Sequence, residues 1–349
     1  MKKRWLSLLT LALSATVASA CAEGLTEVSD EAKATDNFPF FAYNGNDTIP
    51  HENHEVKAGG STVYFTSDIS AEGLVKIYEA LGVQLNGKVG VKISTGENGS
   101  HYLDPNLIAD LVHDVNGTIV ECNTSYGGNR STTAMHWQII KDHGFADIAD
   151  CDIMDEEGTL SIPVANGTYL KEDIVGSHLA NYDSLLVLSH FKGHPQAGFG
   201  GAIKNISIGI ASGGSENSGK VNIHSGGTEQ GAMGFYAVNP FLASMAEAGS
   251  AVVDYVGKEN MVYINVMNQL SVDCDCVENG SAPLMSDIGI LASLDPVALD
   301  QACVDLVYTS DSNNQPLIYR MESRNAFLTL QHGEEIGLGQ RDYTLVNID

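Results

Sequence analysis

The sequence is poor in basic residues, in cysteine and in proline. Of its 349 residues only 18 are Lys or Arg, against 44 Asp or Glu, which gives a formal net charge of -26. Nucleic acid and anionic membrane surfaces would repel such a chain and are excluded as general partners, although a local basic pocket is not. Six cysteines are sparse for a disulfide scaffold, and nine prolines beside 36 glycines indicate tight turns rather than proline-rich linkers.

The first twenty residues have the pattern of an export signal. A basic start at 1–4 precedes an apolar run at 5–17, which is too short to span a bilayer, and the small residues Ala-Ser-Ala follow at 18–20. We therefore predict an exported protein, in the periplasm or anchored in the cell envelope. Ordinary cleavage before Cys21 and attachment of a lipid to Cys21 both fit, and that lipid is the only membrane contact we predict. Residues 21–60 are polar and patternless, as in a flexible spacer.

Short apolar strands and amphipathic helices alternate from about residue 61 to the end. This alternation predicts an α/β fold with a mixed, largely parallel sheet and helices on both faces, as one domain over 61–349 or as two lobes of it. Strands are expected at 63–65, 89–93, 118–122, 185–188, 262–266 and 288–291, and helices at 71–81, 105–115, 132–143, 240–255 and 296–307. A ligand of such a sheet lies beyond the carboxyl ends of the strands, where the polar clusters of this sequence fall.

One polar cluster follows the fourth of these strands. Residues 189–194 (Ser-His-Phe-Lys-Gly-His) lead into a run with Gly198, Gly200 and Gly201, and Lys204 comes directly after it. Glycines let the backbone approach a ligand and expose its amides, and Lys204 adds a positive charge. The cluster therefore predicts a site for an anionic substrate or cofactor group. A glycine turn packed under a helix is the alternative.

A second cluster follows the predicted strand at 118–122. Asn123 and Thr124 lead towards a helix that is capped around Ser131. Small polar side chains and a helix N-terminus suit an anion such as a carboxylate, so we expect these residues to bind a cofactor or substrate group. An ordinary capped turn is the alternative.

Histidines and cysteines in the second half of the chain predict a metal site. His190 and His194 lie four residues apart, His224 follows a stretch rich in glycine and serine, and one residue separates Cys274 from Cys276. Neutral imidazole and thiolate ligands suit iron, nickel or zinc. We therefore predict one transition-metal site built from these five side chains. Structural histidines and a buried or disulfide-bonded cysteine pair are the alternatives.

These motifs resemble the domain-of-unknown-function 362 family, whose members are described as iron–sulfur-centre proteins. The resemblance is carried by Ser189–Asn205, Asn123-Thr124, Tyr126-Gly127, Arg130, His136, Gly219-Lys220, His224, Cys274-Asp275-Cys276 and the run from Asp287 to Ala302. Many members have a ferredoxin-like insert of eight cysteines after the position that matches His224. This chain has no cysteine there, so the resemblance does not imply an iron–sulfur cluster for it.

The glycine-rich stretch is more distantly similar to the lactate racemase family. The matching residues are His194, Ala197–Gly201, Lys204, Ile206–Ser212 and His224. In that family the histidine matching His194 does acid–base work, the matching lysine tethers a nickel-pincer nucleotide, and the later histidine binds nickel. The resemblance thus implies catalytic roles for His194 and Lys204 and a metal-ligand role for His224.

From these observations we predict an exported metal-binding protein with a site for a small anionic molecule. The leading interpretation is an oxidoreductase or a racemase-like enzyme, which would act on a small hydroxy or oxo acid with a histidine as general base. A non-catalytic envelope protein that binds or delivers a metal is the second interpretation. A glycine-rich domain whose histidines and cysteines only pack is the third.

Overall fold

The computed structural model describes residues 51, 57, 59–214, 218–227, 238–310 and 313–349. The predicted export signal and nearly all of the predicted spacer lie outside the described residues, so both stay predictions. Within the described ranges, no helix is long and apolar enough to cross a membrane.

Strands and helices alternate along the described chain. The strands are β1 (Ser61–Thr66), β2 (Val89–Lys92), β3 (Gly117–Glu121), β4 (Cys151–Ile153), β5 (Thr159–Pro163), β6 (Glu172–Gly176), β7 (Ser184–His190), β8 (Lys192–His194), β9 (Gly198–Gly200), β10 (Met261–Met267), β11 (Gly289–Ser293) and β12 (Tyr343–Asn347). The helices are α1 (Ala71–Ala80), α2 (Pro105–Asp114), α3 (Thr133–Asp142), α4 (Phe145–Ile148), α5 (Ala202–Ile206), α6 (Gly219–His224), α7 (Val238–Val256), α8 (Pro296–Thr309), α9 (Gln315–Ser323) and α10 (Phe327–Glu335). Two short 3-10 helices span Ser177–Asn181 and Lys258–Asn260.

Eight of the strands form one sheet in the order β12-β1-β11-β10-β7-β2-β3-β4. The pairs from β10 through β4 are parallel, as is β1 with β12, whereas β11 runs antiparallel to both of its neighbours. β5–β6 and β8–β9 are separate antiparallel pairs. The predicted fold class, α/β with a mixed and largely parallel sheet, is confirmed. Because β7 lies inside the parallel part, the polar residues that follow it are brought over the interior of the sheet.

Alternate residues of β7 enter two hydrophobic cores, one on each face of the sheet. Leu186 and Leu188 pack in the core that contains the apolar residues of α1 and α2. Leu185 and Val187 pack in the core that contains those of α5, α7 and α8. All four leucine and valine side chains are fully buried. Helices on both faces explain why the central strands are apolar throughout rather than alternating.

Asp295 fixes the start of α8 and also joins the two ends of the described chain. Its Oδ1 accepts hydrogen bonds from the backbone N–H of Val297 (2.9 Å) and Ala298 (3.1 Å), and Oδ2 accepts from Ser61 Oγ (2.8 Å) and the N–H of Gln340 (3.0 Å). An N-terminal cap satisfies amides that the helix itself cannot pair. Asp295 is therefore a structural residue, as its position before a proline suggests.

We expect Asp295→Ala to lower the free energy of unfolding by about 2 kcal/mol, the upper end for loss of a helix cap, because two further hydrogen bonds are lost with it. Urea denaturation followed by circular dichroism measures this change. Asp295→Asn, which keeps an acceptor at the cap, should lose less. Equal stability of the alanine variant and the wild type would contradict the assignment.

Candidate functional site

A pocket of about 440 Å³ opens at the carboxyl ends of the parallel strands. Ser94 follows β2, Thr124 follows β3, His190 ends β7 and Cys274 follows β10, and all four line the pocket. The residues predicted from sequence that line it are Thr124, His190, His194, Gly200, Gly201, Lys204, His224, Cys274 and Cys276. Side chains scattered over more than 150 positions are therefore brought to one crevice.

Two of the predicted cofactor-binding residues, Gly198 and Asn123, lie outside the lining of this pocket. Gly198 has a φ of +81°, and a Cβ there would lie 2.6 Å from the Cβ of Ala326, so this glycine permits close packing. Asn123 Nδ2 donates hydrogen bonds to Thr133 Oγ1 (3.0 Å) and Asp155 Oδ1 (3.1 Å). Both residues instead make contacts within the protein, and we do not retain their predicted contact with a cofactor.

The glycine run seats the start of α5 on a buried carboxylate. Asp300 accepts hydrogen bonds from the backbone N–H of Ala202 (2.8 Å) and Ile203 (3.0 Å). A Cβ at Gly201 would lie 2.3 Å from Asp300 Oδ1, so glycine is required there. Burial raises the pKa of Asp300 to about 6. Asp300 therefore binds the two amides that directly follow the glycine run, and the run fixes the start of the helix that carries Lys204.

Three lysines line the pocket without a bonded carboxylate in the described part of the chain. Lys92 Nζ donates to Asn205 Oδ1 at 2.9 Å, and Lys220 Nζ donates to the carbonyl of Ala211. Among the described residues, Lys204 Nζ has no hydrogen-bond partner. These ammonium groups make a locally basic pocket in a chain that is strongly acidic as a whole.

Burial and mutual repulsion lower the pKa of two of these lysines. At Lys204 burial is the larger cause, and the nearby charges of Arg130 and Lys92 add to it, so that its pKa is about 8. At Lys92 burial lowers the pKa to about 8 against the attraction of Glu121. Both lysines remain mostly protonated at pH 7. A bound anion would offset their repulsion and stabilise the charged form.

His194 and His224 are held in opposite tautomers. His194 Nδ1 accepts hydrogen bonds from the backbone N–H of Gln196 (3.2 Å) and Ala197 (2.8 Å), so the neutral ring carries its proton on Nε2. His224 Nδ1 lies 2.7 Å from the carbonyl oxygen of Lys220, to which it donates, so Nε2 keeps a lone pair. His194 therefore presents a hydrogen-bond donor and His224 an acceptor.

Both histidine rings are neutral near pH 7. Burial, with the added repulsion of Lys204 and His224, lowers the pKa of His194 well below its usual range. Burial also lowers the pKa of His224 to about 4, although the bond to the Lys220 carbonyl opposes this. The His224 ring stacks on Phe241, with 4.6 Å between ring centroids, and this contact holds its orientation. A bound anion would raise both pKa values towards the range that suits proton transfer.

Both ring nitrogens of His190 have hydrogen-bond partners within the protein. Its Nδ1 lies 3.2 Å from Asp275 Oδ2, and its Nε2 lies 2.7 Å from the carbonyl oxygen of Asn268. Both ring nitrogens therefore lie within hydrogen-bond distance of acceptor oxygens of the protein itself. Asp275 also accepts a hydrogen bond from Lys192 Nζ. His190 thus lines the pocket as part of a buried ion cluster, and we do not retain it as a metal ligand.

A disulfide bond joins Cys274 and Cys276, which is one of the alternatives that the sequence left open. The two sulfurs and a ring nitrogen of His194 lie within 4.8 Å of one another. Thiolates bind metals and disulfide sulfurs do not, so this group fits a metal only after reduction. One imidazole and two thiolates then form a donor set that suits zinc, iron or nickel. Three of the five predicted ligands are thereby grouped, while His190 and His224 lie outside the group.

A buried ion network, which was not predicted from the sequence, completes the pocket wall. Arg130 Nε donates to Glu97 Oε1 (3.0 Å), and its NH1 donates to Glu121 Oε1 (2.6 Å). His136 Nε2 lies 2.9 Å from Glu121 Oε2, and all four side chains are buried. Charged residues at the ends of apolar strands could have indicated this network, since Glu121 is the last residue of β3. The network sets two carboxylates against the one guanidinium of Arg130, and Glu121 also attracts Lys92.

Comparison with known proteins places the chain in a family. A family model described as a domain of unknown function, DUF362, matches residues 89–305, which is more than half of the chain. The chain belongs to the DUF362 family. Every residue that lines the pocket lies inside the DUF362 match. No curated protein matches the chain significantly.

Two solved structures are distantly similar to part of this DUF362 chain. The lactate racemase apoprotein from Thermoanaerobacterium thermosaccharolyticum is 19% identical with a TM-score of 0.36, and the alignment covers 58% of this chain and 50% of that one. A protein from Thermotoga maritima is 18% identical with a TM-score of 0.34, and the coverage is 64% and 52%. The DUF362 chain thus spans about half the length of each structure.

Proposed function

We propose that this chain is an exported enzyme that binds a small hydroxy or oxo acid in the lysine-lined pocket and transfers a proton. The observation that carries the proposal is the pair of neutral histidines in opposite tautomers, His194 and His224, in the same pocket as Lys204. Lys204 supplies an ammonium group with no partner among the described residues, so it is free to bind a carboxylate.

A 2-oxo acid illustrates the proton transfer. Lys204 binds the carboxylate, and His224 Nε2 takes a proton from the carbon next to the carbonyl. The electron pair of that C–H bond moves towards the carbonyl, and the enolate oxygen that forms accepts a hydrogen bond from His194 Nε2–H. Return of a proton to carbon completes the cycle. This is the racemase-like form of the function, since the oxidoreductase form would also need an electron acceptor.

We expect Lys204→Met to weaken the binding of pyruvate at least tenfold, because a hydrogen bond to a charged group contributes about 1.5–3 kcal/mol. Isothermal titration calorimetry measures the affinity. Lys171→Met, which removes an exposed lysine outside the pocket, is the matched control and should bind as the wild type does. If no small hydroxy or oxo acid binds the wild type, or if Lys204→Met leaves the affinity unchanged, the proposed function is wrong.

A second candidate function is the non-catalytic binding or delivery of a metal in the envelope. The grouping of His194 with Cys274 and Cys276 favours it. Ligation through Nε2 of His194 would require the ring to exchange its present tautomer, since Nδ1 faces two backbone donors. The pair of cysteines would therefore supply most of the affinity, and only in the reduced state.

We expect reduced protein to bind one zinc ion and to melt at a higher temperature with zinc than without it, because a ligand that binds only the folded state stabilises it. Zinc binding should disappear in Cys276→Ser and persist in Cys151→Ser, which removes a cysteine outside the pocket. Metal analysis and differential scanning fluorimetry measure both effects. An unchanged melting temperature in reduced wild-type protein would rule out this second function.

A further inference from the structure

We propose that the Cys274–Cys276 disulfide is reactive and exchanges with small thiols that carry a carboxylate. This is a redox activity distinct from the proton transfer proposed above. It rests on the proposed function only in one respect, namely that the same lysines select the anionic thiol.

The two cysteines of the disulfide differ in their exposure. Cys274 and Cys276 both line the cavity that contains Lys204. Cys274 is 7% exposed, whereas Cys276 is partly exposed. We therefore expect a thiolate in the pocket to attack Cys276 Sγ, with the sulfur of Cys274 as the leaving group.

The surroundings of Cys274 suit a departing thiolate. The backbone N–H of Cys276 donates to Cys274 Sγ at 3.2 Å, and a ring nitrogen of His194 lies within 4.8 Å of both sulfurs. A stabilised thiolate leaves faster in exchange with another thiol. The bond closes a loop between residues only two apart, and so short a loop constrains the unfolded chain least. The fold therefore depends little on this disulfide, and its reduction need not unfold the protein.

The other described cysteines do not compete with this pair. Cys122 and Cys303 are buried free thiols, and Cys151 is half-buried. Burial is the main cause that raises the pKa of all three, to about 12 at Cys151. A thiol with a raised pKa yields little of the reactive thiolate near pH 7. Thiol chemistry in the described part of the chain is thus concentrated at the disulfide.

Two thiols are consumed in each turn of the exchange. The first thiolate attacks Cys276 Sγ, the S–S bond breaks, and Cys274 leaves as a thiolate that takes up a proton. A second thiolate attacks the outer sulfur of the mixed disulfide and releases Cys276. The cysteine pair gains two electrons and two protons, and the two small thiols lose them as they form one disulfide.

The charges around the pair select the thiol. Asp275, between the two cysteines, is paired with Lys192 and His190. Its attraction for Lys204 is weaker than the repulsion of Lys204 by Arg130 or by Lys92. Lys92 and Lys204 therefore attract a thiol that carries a carboxylate and raise its local concentration. Reduction by that thiol would also supply the two thiolates that the metal site described above requires.

Three thiols of different charge test the proposal: 3-mercaptopropionate, 2-mercaptoethanol and cysteamine. Reduction of the pair is followed by alkylation at timed intervals and by mass analysis of the peptide that contains both cysteines. Each rate is divided by the rate of the same thiol with a small free disulfide, which removes differences in intrinsic reactivity. We expect a preference of about tenfold or more for 3-mercaptopropionate over 2-mercaptoethanol, and a still lower rate for cysteamine.

Lys204→Met should lose most of this preference, whereas Lys171→Met should keep it. Rates that are independent of charge in the wild type would overturn the proposal, as would a pair that forms no intramolecular disulfide after oxidation. The titration with pyruvate separates this result from the proposed function. If pyruvate binds but the thiols react without a charge preference, only the exchange proposal is wrong. If the thiols show the charge preference but pyruvate does not exchange its protons, only the proposed enzyme function is wrong.

Discussion

Replacement of His224 with Gln should lower the rate of deuterium exchange into the methyl group of pyruvate by a factor of about 10²–10⁴, the usual contribution of a general base. The glutamine amide has no basic lone pair, and His224 is the histidine whose Nε2 keeps one in this pocket. Proton NMR in D2O follows the exchange directly. The affinity for pyruvate should change less than threefold, because Lys204 and not His224 binds the carboxylate in this scheme.

The pH dependence of this exchange should have two limbs. Loss of the proton from His224, whose pKa is about 4, makes the base available, so the rate rises as the pH increases through that value. Loss of the proton from Lys204, whose pKa is about 8, removes the charge that binds the carboxylate, so the rate falls above that pH. A bound anion raises both values and shifts both limbs of kcat upwards relative to those of kcat/KM.

His113→Gln is the matched control, since His113 is exposed and lies outside the pocket. This variant should catalyse deuterium exchange into pyruvate at the rate of the wild type. Equal rates for His224→Gln and the wild type would remove His224 as the base. Loss of the lower limb of the pH profile in His224→Gln would support the assignment independently of the absolute rate.

The sheet and its main helices were predictable because burial on both faces imposes a strong pattern. β10 was predicted at 262–266 and spans Met261–Met267, and α8 was predicted at 296–307 and spans Pro296–Thr309. The β8–β9 pair was not predicted, because Lys192–His194 and Gly198–Gly200 read as a polar, glycine-rich loop. Their strand geometry depends on contacts with distant residues, such as the backbone of Val272 against Gly193.

The types of residue at the site were predictable, and their roles were not. The sequence predicts the same metal-ligand role for three histidines. Their roles differ in the structure because their hydrogen-bond partners differ. His190 faces two acceptors, His194 two backbone donors and His224 one carbonyl. The role of Asp300, which caps α5 from almost a hundred residues away, was equally unpredictable from the local sequence. No local pattern links it to the start of α5, so this contact could not be foreseen.

Arg130→Met should lower the free energy of unfolding at pH 7 by about 3–5 kcal/mol, the range for breaking a buried ion pair from one side. The guanidinium bridges Glu97 and Glu121, and both carboxylates are buried. Methionine fills part of the space but leaves two negative charges without their cation. Chemical denaturation measures the loss. The double variant Arg130→Met/Glu121→Gln should recover part of it, because one of the uncompensated charges is removed with the arginine.

The pH dependence of stability gives a second test of this network. Burial alone would raise the pKa of Glu121, but the charges of Arg130 and His136 outweigh it and hold the pKa well below its usual range. In the wild type this stabilisation is present above the unfolded-state pKa of about 4.3 and is lost as the pH falls through the folded-state value. Without Arg130 the buried carboxylate of Glu121 destabilises the folded state. Protonation of Glu121 removes this charge and increases the stability of the variant. The stability difference between the two proteins should therefore shrink as the pH falls from 7 towards 4, and a constant difference would show that lost packing, not lost charge compensation, destabilises the variant.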